Sequence, residues 1–305
     1  KMGLITLAMT IAYKGGVNYQ DTFGVTAIWE SIIYRRLNQM KVVSPMSGMT
    51  SGEYKRIGAT ETSIKNPGSK TREEDKSHSF AGGYVKNPII GRHNWVVSFD
   101  LNSLYPNLIV QYNISPETLI HGADQLNSVA AYLGGQKVTS EHSVAANGSS
   151  YRKDIEGVIP QIIEEYYDER VSVKKMMIAA QQQIQKEYTV ELDKEINKLE
   201  NRQMAIKILL NSLYGALGNE YFHYFDVRLA EAVTASGQLA IQWAETAMNK
   251  AMQTLLEDDD DYVIAIDTDS LYVNFGPLVN KLKPNNPVSF LDKICKEHFE
   301  PVMQK

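Results

Sequence analysis

The sequence predicts an α+β fold, and three observations carry that reading. Residues 161–217 and 226–255 repeat apolar side chains at helical intervals. Two short apolar runs, Trp95-Val96-Val97-Ser98-Phe99 and Tyr262-Val263-Ile264-Ala265-Ile266, have strand length, and each is followed by aspartate. Hairpin signals stand at Gly134-Gly135 and Asn147-Gly148. The 305 residues allow roughly two units at about 150 residues each. With 43% apolar and 22% charged residues the chain is too apolar to be a disordered segment. A formal charge of −5 excludes coating nucleic acid by bulk positive charge, although it leaves room for a local basic site. The single cysteine, Cys295, excludes a disulfide framework or a thiolate zinc cluster within this chain. The longest apolar stretch, within residues 4–12, is far short of the ~20 residues a bilayer requires, so no membrane span is expected.

The elements follow in order. Residues 1–45 read as helical, with Ile28, Trp29, Ile32, Ile33 and Leu37 at helix-like intervals after a Gly15-Gly16 break. Residues 47–79 are dominated by Ser, Thr, Gly, Lys and Glu and read as a polar linker. Order resumes at Phe80-Ala81-Gly82-Gly83, and the run 95–99 reads as a buried strand ending at Asp100. Within 161–217 much of the pattern is polar on every face, which describes helices projecting into solvent. The pair Thr189-Val190 marks the turn between two antiparallel helices.

Chemistry enters where the strands end. An apolar strand closed by a carboxylate is costly unless the charge meets water, a cation or a metal. Asp100 closes the first run and Asp267-Thr268-Asp269 the second. A polar hairpin tip would explain the second group alone; Asp100 placed likewise makes that explanation weaker. Strand alternation predicts that Asp267 and Asp269 share a face and Thr268 points away. If the two strands are neighbours, up to three carboxylates converge, and divalent cations such as Mg²⁺ would neutralise them. After Asp100, Leu101-Asn102-Ser103-Leu104-Tyr105-Pro106 turns into a helix whose free N–H groups make an anion site. Lys207, Asn211 and Tyr214 fall on one helix face, and Arg170 and Lys174 form a second cationic pair four residues apart. Ordinary surface charge would account for either stripe taken singly. Beside the carboxylates they suit a nucleotide.

These residues carry a family likeness. Ser98 through Pro106, Lys207 through Gly215, and Asp267-Thr268-Asp269-Ser270 resemble, in order, the three polymerase motifs of family B DNA polymerases. Phe80-Ala81-Gly82-Gly83 is similar to that family's aromatic-x-Gly-Gly element. Leu217-Gly218-Asn219 and the helix through Gly237-Gln238 look most like the tailed-phage replicative branch. The resemblance implies a palm with an antiparallel sheet and a two-helix fingers insertion, the thumb being absent. Residues 1–46 would be the C-terminal remnant of an exonuclease domain, 47–79 a linker, 80–160 and 218–305 two parts of the palm, and 161–217 the fingers.

It further implies template-directed nucleotidyl transfer from dNTPs to a primer 3′-hydroxyl in DNA replication, by a two-metal mechanism. Asp100, Asp269 and, more weakly, Asp267 would be catalytic, and Asp100, Asp269 and Leu101 would hold two Mg²⁺ ions. Ser103, Leu104, Tyr105, Arg170, Lys174, Lys207 and Asn211 would bind the dNTP, with Tyr105 as a gate against the ribose 2′-hydroxyl. Tyr214 and Gly215 would line the nascent base pair, and Gly82 and Gly83 would touch template. Expected partners are primer-template DNA, a second polypeptide carrying exonuclease and thumb, and a sliding clamp, in the cytoplasm of an infected bacterium. The sequence departs from the family at Ala265-Ile266, where Tyr-Gly is usual, and at Asn107, where Ser is common. It begins at Lys1 and ends at Lys305 within a helical pattern, so a fragment or one half of a split polymerase is expected. The alternative is a non-catalytic nucleic-acid-binding portion that completes a partner chain. Asp154-Ile155-Glu156 imitates an exonuclease carboxylate pair but lies at an expected palm turn.

Overall fold

The computed structural model describes residues 3–44, 82–120 and 128–303, so the predicted linker, with Phe80 and Ala81, lies outside the described residues. The chain opens with α1 (Leu4–Gly15), a 3₁₀ turn (Tyr19–Phe23) and α2 (Val25–Gln39). Helix α1 stops at Gly16, whose φ of 66° is a left-handed conformation that other residues resist. In α2 the predicted Ile28, Trp29, Ile32 and Ile33 are all buried. There follow β1 (Val85–Lys86), β2 (Val96–Asp100), α3 (Leu104–Tyr112), β3 (Leu119–Ile120), α4 (Val129–Leu133), β4 (Ser143–Val144) and β5 (Ser150–Tyr151). The long helices are α5 (Val158–Ile184), α6 (Val190–Leu217) and α7 (Val227–Leu256). Strands β6 (Val263–Asp267) and β7 (Ser270–Asn274) precede α8 (Gly276–Leu282), α9 (Pro287–Ile294), a π turn (Cys295–Phe299) and α10 (Glu300–Met303).

The architecture is helices on antiparallel sheets, as an α+β fold requires. One sheet has the order β1-β6-β7-β2 and a smaller one the order β3-β5-β4, every pairing antiparallel. One hydrophobic core joins Trp29, Ile109, Ile163, Ile206, Leu213 and Val233, and ties α2, α3, α5, α6 and α7 together. The other packs Phe99, Met248, Ile266, Leu271, Phe275 and Phe299 between the larger sheet, α7 and the C-terminal helices. Helices α5 and α6 double back on each other. The hydroxyl of Thr189 caps α6 by accepting from Leu192 N at 3.2 Å, which is the turn the sequence predicted.

Two readings of the sequence are corrected. The run 95–99 is not a buried strand: β2 lies at the edge of its sheet, and of its five residues only Phe99 is buried. Its apolar side chains reflect β-propensity at a half-open edge rather than enclosure. Gly134-Gly135 marks no hairpin but the end of the short helix α4, whereas Asn147-Gly148 does turn β4 into β5.

Candidate active site

The two aspartate-ended runs meet through an intermediary. Strand β7 stands between β6 and β2, so the runs are not neighbours. The β6–β7 hairpin nevertheless delivers its tip to the end of β2, because Asp100 pairs with Ser270 and Asp267 pairs with the same serine from the other side. Leu101 N donates to Asp269 O at 2.8 Å and locks the end of β2 to the tip.

That tip is a turn rather than a continuing strand, which corrects the alternation argument. Thr268 has φ of 57°, and Asp269 N donates to Asp267 O at 2.7 Å. Asp267 therefore ends β6 while Asp269 sits in the reversal. Burial holds the Asp269 carboxyl above the usual carboxylate range, and repulsion from Asp100, with a smaller push from Asp267, adds to it. The Asp100 carboxylate is therefore near enough to act on Asp269. Among the described residues, however, no three His, Cys, Asp or Glu side chains are grouped closely enough to hold a metal ion, so the predicted convergence of three carboxylates is not formed.

Beside the carboxylates, Ser103 opens α3 in the left-handed region at φ of 53°. Its side chain makes no capping bond, so the first N–H groups of this nine-residue helix are left without a side-chain cap. Pro106, which has no N–H to leave orphaned, fits the first turn. Asn107, the residue that departs from the family pattern, donates from Nδ2 to Asn102 O at 2.9 Å and closes the entry. Ile266, the other departure, is buried in the second core.

The Tyr105 ring packs against Tyr214, with centroids 4.8 Å apart and planes tilted by 47°. On another side it meets α7 at Gly237, where a β-carbon would stand 3.0 Å from the ring. Burial pushes the Tyr105 phenol up to about 12, with smaller pushes from Tyr214 and Asp269. The phenol stays protonated at neutral pH, and Asp269 is close enough to act on it.

The cationic stripes lie on the facing long helices. Arg170 on α5 has a buried Nε with no hydrogen-bond partner. Lys174 on α5 and Lys207 and Asn211 on α6 are exposed and make no side-chain hydrogen bond or ion pair among the described residues. Gly215 is exposed and faces open space next to Tyr214. Gly83 stands against the acidic tip, and Gly82 against α7. Gln238 Nε2 donates to Gly82 O at 2.5 Å, and a β-carbon on Gly83 would fall 2.7 Å from Thr268 Oγ1. Asp154 is exposed and paired with Arg152, away from these groups. Sequence reasoning missed Thr268, which it pointed away from the site. It also passed over Lys86, whose contacts depend on three separate elements.

The model of DNA polymerase family B matches residues 26–283.

The chain belongs to DNA polymerase family B.

Among its relatives, the DNA-directed DNA polymerase of Escherichia phage RB69 is 30% identical over 364 residues, covering 100% of this chain and 36% of the relative. The DNA-directed DNA polymerase of Enterobacteria phage T4 is 29% identical, covering 99% of this chain and 36% of the relative. A DNA polymerase 1 of Pyrococcus abyssi is 32% identical over 225 residues, 73% of this chain and 25% of the relative. This family B chain thus spans 36% of the length of its phage relatives. No helix among its described residues is long and apolar enough to cross a membrane.

Proposed function

We propose that the chain carries the nucleotidyl-transfer centre of a template-directed DNA polymerase acting in DNA replication. The observation that carries this reading is the pairing of Asp100 with Ser270 and of Leu101 N with Asp269 O, which brings two acidic residues from distant segments together. The family, whose phage members are named DNA-directed DNA polymerases, supports it. In this reading residues 80–160 and 218–305 form the palm, 161–217 the fingers, 47–79 a linker and 1–46 the end of an exonuclease domain. The phage relatives favour the cytoplasm of an infected bacterium as the place of action.

The donor set fits Mg²⁺ completed by substrate rather than an all-protein cage. Mg²⁺ is commonly held by one or two carboxylates with phosphate and water filling its octahedron, and Asp100, Asp269 and the Leu101 carbonyl offer such a partial shell, with Asp267 as a weaker candidate. The mutual repulsion that raises Asp269 is relieved by a cation. When bound, two divalent ions supply acidification of the primer hydroxyl and neutralisation of the departing pyrophosphate.

The chain's own residues do the rest. The backbone at Ser103, Leu104 and Tyr105 cradles the triphosphate at the uncapped start of α3. Arg170, Lys174 and Lys207 offset phosphate charge, the buried and unpartnered Arg170 Nε being ready to donate. Tyr105, wedged between Tyr214 and Gly237, occupies the space of a ribose 2′-hydroxyl. Asn211, Tyr214 and Gly215 line the incoming nucleotide and its pair, and Gly82 and Gly83 meet template. Primer-template DNA and dNTPs are the substrates. A second polypeptide supplying exonuclease and thumb, and a sliding clamp, are the proposed partners.

Primer extension tests this reading, using the chain alone and supplemented with polypeptides covering the remainder of the relatives' length. The completed assembly should extend primers. Asp269→Asn should lower the rate at least about 100-fold, since charge stabilisation through metals is worth several kcal/mol and each 1.36 kcal/mol is tenfold. An unchanged rate would remove the metal-site assignment, and DNA binding without extension by any assembly would favour a non-catalytic portion.

A further inference from the structure

The acidic tip is braced by a strand too short to hold itself. β1 has two residues, Val85 and Lys86, paired with Asp267 and Ile266 of β6 at the sheet edge. Its approach nevertheless shapes the tip. Tyr84 O accepts from Thr268 N at 2.9 Å, satisfying the one residue of the turn with positive φ. Gly83 lies so near the Thr268 side chain that no β-carbon fits between them. Whatever fixes β1 therefore fixes the backbone between Asp267 and Asp269.

Within β1 itself the side chain that fixes it is Lys86. It is 16% exposed, and its ammonium donates to Glu245 Oε1 on α7 at 2.7 Å, to Asp261 Oδ2 at 2.6 Å and to Val263 O on β6 at 2.7 Å. These three acceptors use all three N–H groups of the ammonium. Asp261 is itself held by Asn249 Nδ2 at 2.9 Å, and Asn249 Oδ1 accepts from Tyr262 N and Val263 N at 2.9 and 3.2 Å. One nitrogen thus joins the edge strand, the long helix beneath the sheet and the start of β6. Removing it strands Glu245, 18% exposed, without its cation. Apart from Lys86, the β1 segment keeps its two-residue ladder, the Tyr84–Thr268 bond, a bond from Gln238 Nε2 to Gly82 O at 2.5 Å before it and, three residues past it, one from Ile89 N to Ile264 O at 2.8 Å. Ile89 lies on the far side of β1 from Thr268.

We propose that Lys86 is a positioning residue for nucleotidyl transfer: through β1 it holds the Thr268 turn, and so the Asp269 carboxylate, in register with Asp100. This rests on the reading of Asp100 and Asp269 as the metal-holding pair. The test begins with amide hydrogen exchange on the 305-residue chain, a readout independent of activity. Lys86→Met should speed exchange of the Thr268 amide at least about tenfold while the Leu271 and Val273 amides of β7 keep their protection. Lys86→Arg, which returns a cation to Glu245 and Asp261, should restore protection in part. In the completed assembly Lys86→Met should lower kcat for primer extension at least about tenfold and leave the KM for dNTP within about twofold, the split expected when transition-state alignment rather than substrate binding is lost.

Should Lys86→Met lose protection throughout β7, the double variant Lys86→Met with Glu245→Gln, which removes the stranded charge, decides the matter by the same readouts. An unchanged Thr268 exchange rate overturns the proposal. So does faster exchange with kcat retained in an assembly that Asp269→Asn inactivates. If Asp269→Asn itself leaves extension intact, the reading of the site falls and takes this role for Lys86 with it, whatever the exchange rates show.

Discussion

Tyr105 is held from several sides, by Tyr214 4.8 Å away, by the bare backbone of Gly237 and by burial in the first core's margin. In the proposed role, a ring so confined would not swing aside to admit a bulkier sugar. Tyr105→Ala should raise ribonucleotide incorporation relative to deoxyribonucleotide at least about tenfold, because a removed steric barrier of that kind is worth more than one methylene; competition assays with the two nucleotides would measure it, and unchanged discrimination would end the gate assignment. At the acidic tip the expectation concerns stability. A carboxylate whose pKa is raised on folding destabilises the fold at neutral pH, the penalty growing as pH rises from the unfolded toward the folded value. If Asp100 and Asp269 hold a divalent ion as proposed, Mn²⁺ relieves that repulsion, so at about 100 times its dissociation constant it should stabilise the chain by about 2.7 kcal/mol. Thermal unfolding with and without Mn²⁺ checks this, and Asp269→Asn should lose most of the increment.

At the scale of elements, the helices were the most legible part of the sequence and the sheet the least. Ile28, Trp29, Ile32 and Ile33 announced α2 because a buried stripe imposes a period, and the β-branched pair Thr189-Val190 marked the turn into α6, which the Thr189 hydroxyl proves to cap. β1 was unreadable, since two residues hold no pattern. β2 was misread because alternation and burial are separate matters at a sheet edge. The place of Asp269 was missed because period-two reasoning assumes extended backbone, while Thr268 reverses the chain. The sequence did announce that the two aspartate-ended segments meet, but not that β7 stands between them or that Asp269 sits in a turn. One bolt between elements offers a pH prediction. Glu169 on α5 accepts from Lys14 of α1 and from Arg202 Nε of α6, the latter at 2.8 Å. Burial opposes its ionisation, but these two donors outweigh it and hold the carboxyl below its ordinary value of 4.5. A depressed carboxylate stabilises the fold above the unfolded value and loses that contribution as pH falls through the folded one. The gap in thermal stability between the parent chain and Glu169→Gln should be present at neutral pH and shrink steadily below about 4.5; a gap independent of pH would contradict the bolt.

For the whole molecule, charge and size set the expectation for nucleic acid. Phosphate contacts dominate such affinity, and this chain has a formal charge of −5. The chain alone should bind primer-template weakly, with a dissociation constant of roughly 10⁻⁶ M or higher at physiological salt. Anisotropy titrations should show tighter binding and a steeper salt dependence once the rest of the relatives' length is supplied. The two-core layout divides tolerance to change unevenly along the chain. Asp100 reaches Asp269 only because five consecutive residues of β2 are in step with β7, from Val96 opposite Asn274 to Asp100 opposite Ser270. Deleting a single amino acid between Trp95 and Asp100 would turn each following side chain onto the opposite surface, so a frame-preserving deletion there should be far more damaging to the fold around Asp100 than one of equal size around Gly134-Gly135, where no ladder keeps count.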